Sequence, residues 1–125
     1  MNDAAPEPVA PPAFADALFG RTAQEDRAQL RPESLAALAR AAWAHLAAPR
    51  APGRGRIRLV DPANEDPGLA AATILEVVND DMPFLLDSTL AELGEHGLDL
   101  RLVAHPILAV RRDAEGRLQS ARPPQ

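Results

Sequence analysis

A chain of 125 residues with a formal net charge of −5 has room for one domain. No nucleic-acid partner is expected, because a surface for the phosphate backbone needs clustered positive charge and the chain's thirteen basic residues, all Arg, are scattered. Hydrophobic residues make up 46% of the chain, yet 26 of them are Ala against three Phe, one Trp and no Tyr, so stability should be modest unless another segment covers the core.

With no Cys, disulfides, thiolate nucleophiles and cysteine-ligated zinc are excluded; the composition is compatible with a cytoplasmic location. No apolar run approaches the roughly 20 residues of a membrane span, so no membrane association is expected. The opening "MNDAAPEPVAPP", residues 1–12, lacks the basic and continuous apolar regions of a secretory signal. Without large apolar groups to offset the entropy of ordering, it reads as a disordered tail.

"FADALFG" places Phe14 and Leu18 four residues apart and ends in Gly20, which predicts a short helix. "PESLAALARAAWAHLAA" predicts a longer one: Pro32 suits the first turn, and Leu35, Leu38, Ala42 and Leu46 form a stripe beside Trp43. That stripe needs a partner surface, expected to be a sheet face. "PRAPGRGR" breaks the helix and reads as a linker. "RIRLV", residues 56–60, alternates like a half-exposed strand, and "ATILEVV", residues 72–78, is apolar enough to predict an interior strand.

From Pro83 to His96 the period becomes helical, with Leu86, Leu90 and Leu93 on a face expected to be core and Gly97 as the stop. "LDLRLVAHPILAVRRD" returns to period two until Pro106, which predicts one long, kinked strand. "RDAEGRL" predicts a tight turn with Gly116 in its permissive position and residues 117–119 as hairpin partner, and "ARPPQ" should not continue the ladder. The order strand, helix, long strand, short strand is the βαββ start of a ferredoxin-like, α+β arrangement preceded by two helices.

The stretches "ILEVVNDDMPFLLDST" and "GLDLRLVAHPILAVRRDAEGRL" resemble the N-terminal region of the large bacterial NAD-specific glutamate dehydrogenases. The likeness covers roughly residues 14–118 and is most specific at 79–88. It implies an ACT-like domain, regulatory or architectural, belonging to a parent that interconverts glutamate with 2-oxoglutarate and ammonium using NAD. The chain itself shows no G-x-G-x-x-G and no Lys to activate such a substrate, so NAD is expected only in the parent and no catalytic residue is expected here. The implied organisation is a tail at 1–12, a helical segment and linker at 13–55, the ACT-like α+β domain at 56–121 and a tail at 122–125.

The turn Asn79-Asp80-Asp81 has two readings. Two residues ahead of Pro83, Asp81 can serve as a helix N-cap, favoured by the helix dipole. In ACT-type modules the turn after the first strand borders the effector site. Two carboxylates there would repel a ligand carboxylate, so an amino acid bound at this turn should turn its ammonium to Asp80. Asp80, Asp81 and Asp87 lack the Gly and the oxygen count of a calcium loop, and His45, His96 and His105 lack zinc spacing, so no metal is expected. Ser88 and Thr89 lack a nucleophile elbow, and Arg111 and Arg112 read as a solvated hairpin end. The partners expected are other domains of a parent chain, an amino-acid effector and a second copy of the chain. A free-standing amino-acid-binding dimer, or a packing domain without ligand, are the alternatives.

Overall fold

Pro12 opens helix α1 (Pro12–Phe19), which a one-turn helix, α2 (Gln24–Arg27), and then α3 (Pro32–Ala47) follow. The computed structural model describes residues 11–64 and 66–124. The tail assigned to 1–12 thus falls largely outside the described residues, and its last residue begins α1. Pro is favoured at both helix starts because the first N–H groups of a helix have no internal partner to lose. Three helices therefore precede the first strand where two were expected, the additional one being the single turn α2.

The core forms where α1 crosses α3. Phe14 and Trp43 meet edge to face at 5.0 Å, with Leu18, Phe19 and Ala39 around them. Edge-to-face rings place the positive rim of one on the negative face of the other, worth about 1 kcal/mol beyond burial. Leu35, Leu38, Ala42 and Leu46 pack against this cluster half-buried, so the predicted stripe is real but is met first by α1. The opposite side of α3 is buried as well, at Ser34, Ala37 and His45, and it touches a strand. Ser34 donates to the Asp66 carboxylate, which also accepts from Arg31 Nη2 at 2.8 Å and from the Gly68 N–H at 3.0 Å. The Ser34 hydroxyl, foremost, holds the Asp66 carboxyl below the usual carboxylate range.

Strands β1 (Arg56–Val60) and β2 (Ile74–Val78) pair antiparallel, Arg58 opposite Glu76 and Ile57 opposite Val77. Two 3₁₀ turns, Pro62–Asn64 and Pro67–Leu69, lie between them. Among the described residues the expected interior strand thus has one partner, not two. The alternation of β1 is inverted relative to a usual amphipathic strand: Ile57 and Leu59 are 73% and 71% exposed, while Arg58 turns toward α3 and donates to the Ala41 carbonyl.

Helix α4 (Leu85–Glu95) follows. It ends as predicted: Gly97 has φ +69, the Leu98 N–H reaches the Leu93 carbonyl, and the Gly97 N–H reaches the Gly94 carbonyl. Glycine is needed there because a left-handed residue with a Cβ is strained. None of its residues is fully buried, so the face expected to be core is only half covered.

The predicted long strand is a correction. Residues 98–108 are not strand, and only β3 (Ala109–Arg112) pairs, antiparallel with β4 (Leu118–Arg122). Period-two hydrophobicity could not hold the segment without a ladder neighbour, and Pro106 removes a donor. Leu98 and Leu100 are accordingly 55% and 45% exposed. The hairpin turn is as expected, with Gly116 at φ +81 and its N–H on the Asp113 carbonyl at 3.0 Å. Strand β4 runs to Arg122, three residues past the predicted hairpin partner and just short of the prolines.

The chain is α+β, with two small antiparallel sheets. The chain order from β2 onward is strand, helix, strand, strand, but β2 and the β3–β4 hairpin belong to separate sheets and do not form one βαββ sheet. No helix is long and apolar enough to cross a membrane among the described residues.

Candidate functional site

Between α3, β2, the extended segment 102–108 and the hairpin lies a cavity of about 670 Å³. The apolar part of its wall includes Phe14, Leu18, Leu38, Leu102 and Leu108, the polar part His45, Arg50, Glu76, Asp80 and Arg112. A shallower hollow of about 360 Å³ at the end of β1, from Leu59 to Asp61 and Ala70 to Thr73, has Asp61 as its one charged residue.

Glu76 sits in the middle of an apolar strand and points to α3. Its Oε1 accepts from Arg58 Nε at 2.8 Å and lies 3.5 Å from His45 Nδ1, while Oε2 is buried with no hydrogen-bond partner. His45 is 2% exposed; burial pushes its imidazole pKa down, and Glu76 only partly offsets this against Arg58 and Arg56. The ring is therefore neutral at pH 7.

Arg112 closes the other end. Its Nη2 donates to the Leu46 carbonyl at 2.7 Å and Nη1 to those of Ala48 and Gly116, so it caps the C-terminus of α3 from the hairpin. Burial, then the cations Arg50 and Arg56, push its pKa down. Reading Arg112 as a solvated hairpin charge is thus corrected: the fold brings it under a helix end whose carbonyls need a donor. Arg50 Nη2 donates to Asp80 Oδ1 at 2.7 Å, and Nη1 donates to the Arg54 carbonyl. The Nε atoms of both Arg50 and Arg112 are buried without a partner.

The turn singled out in the sequence borders this cavity with all three residues, Asn79, Asp80 and Asp81. Its chemistry differs from the expectation. Asp81 is not a helix cap: Phe84 is the N-cap of α4, in the left-handed region at φ 66, and no side chain caps the helix. Pro83 and Phe84 make an additional bend, which moves the helix start beyond the reach of Asp81. Asn79 Nδ2 turns back on the Met82 sulfur at 3.6 Å, and Asp80 already holds a cation. Among the described residues no group of three or more His, Asp or Glu could hold a metal ion.

Sequence reasoning singled out the turn and missed Arg50 and Glu76. A lone Glu within "ATILEVV" was the available signal, since an unpaired charge in a buried strand is costly. Arg50 carried no signal, because it stands in a Pro- and Gly-rich linker.

The family model described as "Glutamate dehydrogenase, ACT1 domain" matches residues 14–125. An NAD-specific glutamate dehydrogenase of Halomonas elongata is 32% identical over 113 residues, covering 90% of this chain. One of Pseudomonas aeruginosa is 30% identical over 111 residues, covering 88% of it. In both cases the match spans 7% of the relative's length. No solved structure matches the chain.

Proposed function

Since the chain belongs to the glutamate dehydrogenase ACT1 domain family, we propose that it is a non-catalytic, regulatory domain of an NAD-dependent glutamate dehydrogenase, and that it responds to an amino acid held beside the turn Asn79-Asp80-Asp81. The observation that carries this reading is the cavity of about 670 Å³ bordered by that turn, with Arg50, Glu76, Asp80 and Arg112 among its lining residues.

The parent's conversion of glutamate to 2-oxoglutarate and ammonium belongs to the same proposal, as does its cytoplasmic location. The residues here do not fit NAD: the connection from β2 to α4, "NDDMPF", holds no glycine to cradle a pyrophosphate. The proposed division leaves 13–55 as a helical preface and 56–121 as the ACT-like unit, with the other domains of the parent as partners.

Titrating the chain with the twenty amino acids tests the sensing role. A saturable shift of the backbone amides at 79–82 and a raised melting temperature are expected for at least one of them, because a ligand bound only to the folded state stabilises it. No shift with any of them would overturn sensing. An architectural role is the second reading, favoured by the exposed apolar side chains of Ile57 and Leu59 on the face of β1 turned away from α3. A second copy of the chain could also cover that face, which a sedimentation measurement of mass would show.

A further inference from the structure

Strand β2 turns an unused edge to the cavity. Side chains alternate between the two faces of a strand, yet residues 74–81 line the cavity without a break, and among the described residues none of Arg56–Val60 lines it. The cavity therefore runs along the edge of β2 that β1 leaves free. Among the described residues, no backbone-to-backbone hydrogen bond outside the ladder with β1 reaches residues 74–78. Alternate N–H and C=O groups on that edge thus lack a backbone partner, which makes it a template for one more strand. The β-branched, apolar run of β2 suits a strand with neighbours on both edges.

The chain also carries an extra segment with the pattern of a strand and no ladder. Residues 98–101, Leu-Asp-Leu-Arg, lie outside every helix and strand, are exposed throughout, and alternate apolar with charged side chains. Leu98 and Leu100 are 55% and 45% exposed. Leu102 already packs on the core of its own copy, and residues 98–101 do not line that copy's cavity.

We infer that two copies of the chain exchange these segments, each laying residues 98–101 along the free edge of β2 in the other. The cavity wall is mixed, with Leu102, Ala104, Leu108 and Val110 beside Asn79, His105 and Asp113. A strand that alternates Leu with Asp and Arg suits such a wall. Charge sets the direction. Asp80 and Asp81 stand just past the Val78 end of the edge, and both are exposed. A parallel strand brings Arg101 to that end and holds Asp99 back from it. An antiparallel one brings Asp99 toward the two carboxylates and carries Arg101 to the Ile74 end. The exchange is reciprocal, so a twofold axis covers both edges and closes the assembly at a dimer.

Sedimentation over a hundredfold range of concentration, with hydrogen exchange of the same samples, tests the exchange. Mass should rise from monomer to dimer, and amides on the free edge of β2 should exchange at least about tenfold more slowly in the dimer. Leu100→Lys should give a folded monomer, because Leu100 is exposed within its own copy. Arg101→Glu should weaken the dimer by about tenfold, and adding Asp81→Arg should restore it. A capped peptide of residues 97–102 should compete for the edge, whereas the same peptide with every amide N-methylated, lacking its donors, should not. A monomer at every concentration would overturn the exchange, as would a dimer that survives Leu100→Lys. Failure of Asp81→Arg to restore the dimer would overturn the parallel direction. Each of these results leaves the amino-acid reading standing, since that is decided by titration.

Discussion

Arg50 Nη2 donates to Asp80 Oδ1 at 2.7 Å, tying the linker after α3 to the turn after β2. The pair joins two segments 30 residues apart at the border of the cavity, and its members differ in exposure, 13% for the Arg50 side chain and 58% for that of Asp80. Removing the exposed partner should cost little, because solvent screens it. Asp80→Ala is expected to lower stability by less than about 1 kcal/mol while shifting the amides of residues 50–54 and 79–82. Urea melts and amide spectra of the variant check both expectations, and a large loss of stability would contradict this reading.

Arg112 should behave differently. It holds the Leu46, Ala48 and Gly116 carbonyls at once, and two of those acceptors lie at the end of α3. Arg112→Met retains much of the stem and removes every donor. The cost should be about 2–4 kcal/mol, as for leaving several buried groups unsatisfied, read from the shift in urea midpoint.

His45 predicts how stability depends on pH. Its pKa is lowered by folding, so the unfolded chain binds the proton more readily. Stability is then full above the unfolded value of about 6.5 and is lost as the pH falls from there toward the lower folded value. Melting temperature should drop between pH 7.5 and 5.5, and the slope should flatten in His45→Gln. An unchanged slope in that variant would place the origin elsewhere.

Phe84 stands at φ 66 with 75% of its surface exposed, so it bears left-handed strain without the compensation of burial. Phe84→Gly relieves about 1–2 kcal/mol of strain and returns part of that as greater freedom of the unfolded chain. A net gain from a few tenths to about 1 kcal/mol is expected in thermal or urea melts. A net loss would mean that the ring makes contacts in solution.

Local chemistry was legible wherever a residue acts through its immediate neighbours. Pro32 opens a helix, Gly97 closes one, and Gly116 makes the hairpin turn, each through backbone dihedrals set within a few residues. The strands at 56–60 and 74–78 were equally visible in their alternation and β-branching. The α+β class and the turn at 79–81 followed from that order. Asp81 as a cap did not, since a single left-handed residue, Phe84, displaces the helix start and no pattern announces it.

What the sequence by itself determined is the order of the longer helices and of the four strands, and the family resemblance. Dihedral preference and hydrophobic period act over a few residues, and they are written locally. Which face of β1 is buried, that 98–108 finds no ladder partner, and that Arg50, Glu76 and Arg112 converge on one cavity were decided only by the tertiary structure. Those outcomes depend on pairings between segments from 18 to 66 residues apart, as in Arg58 with Glu76 and Arg112 with Leu46. Desolvation and hydrogen-bond satisfaction act only once the chain has brought such groups together.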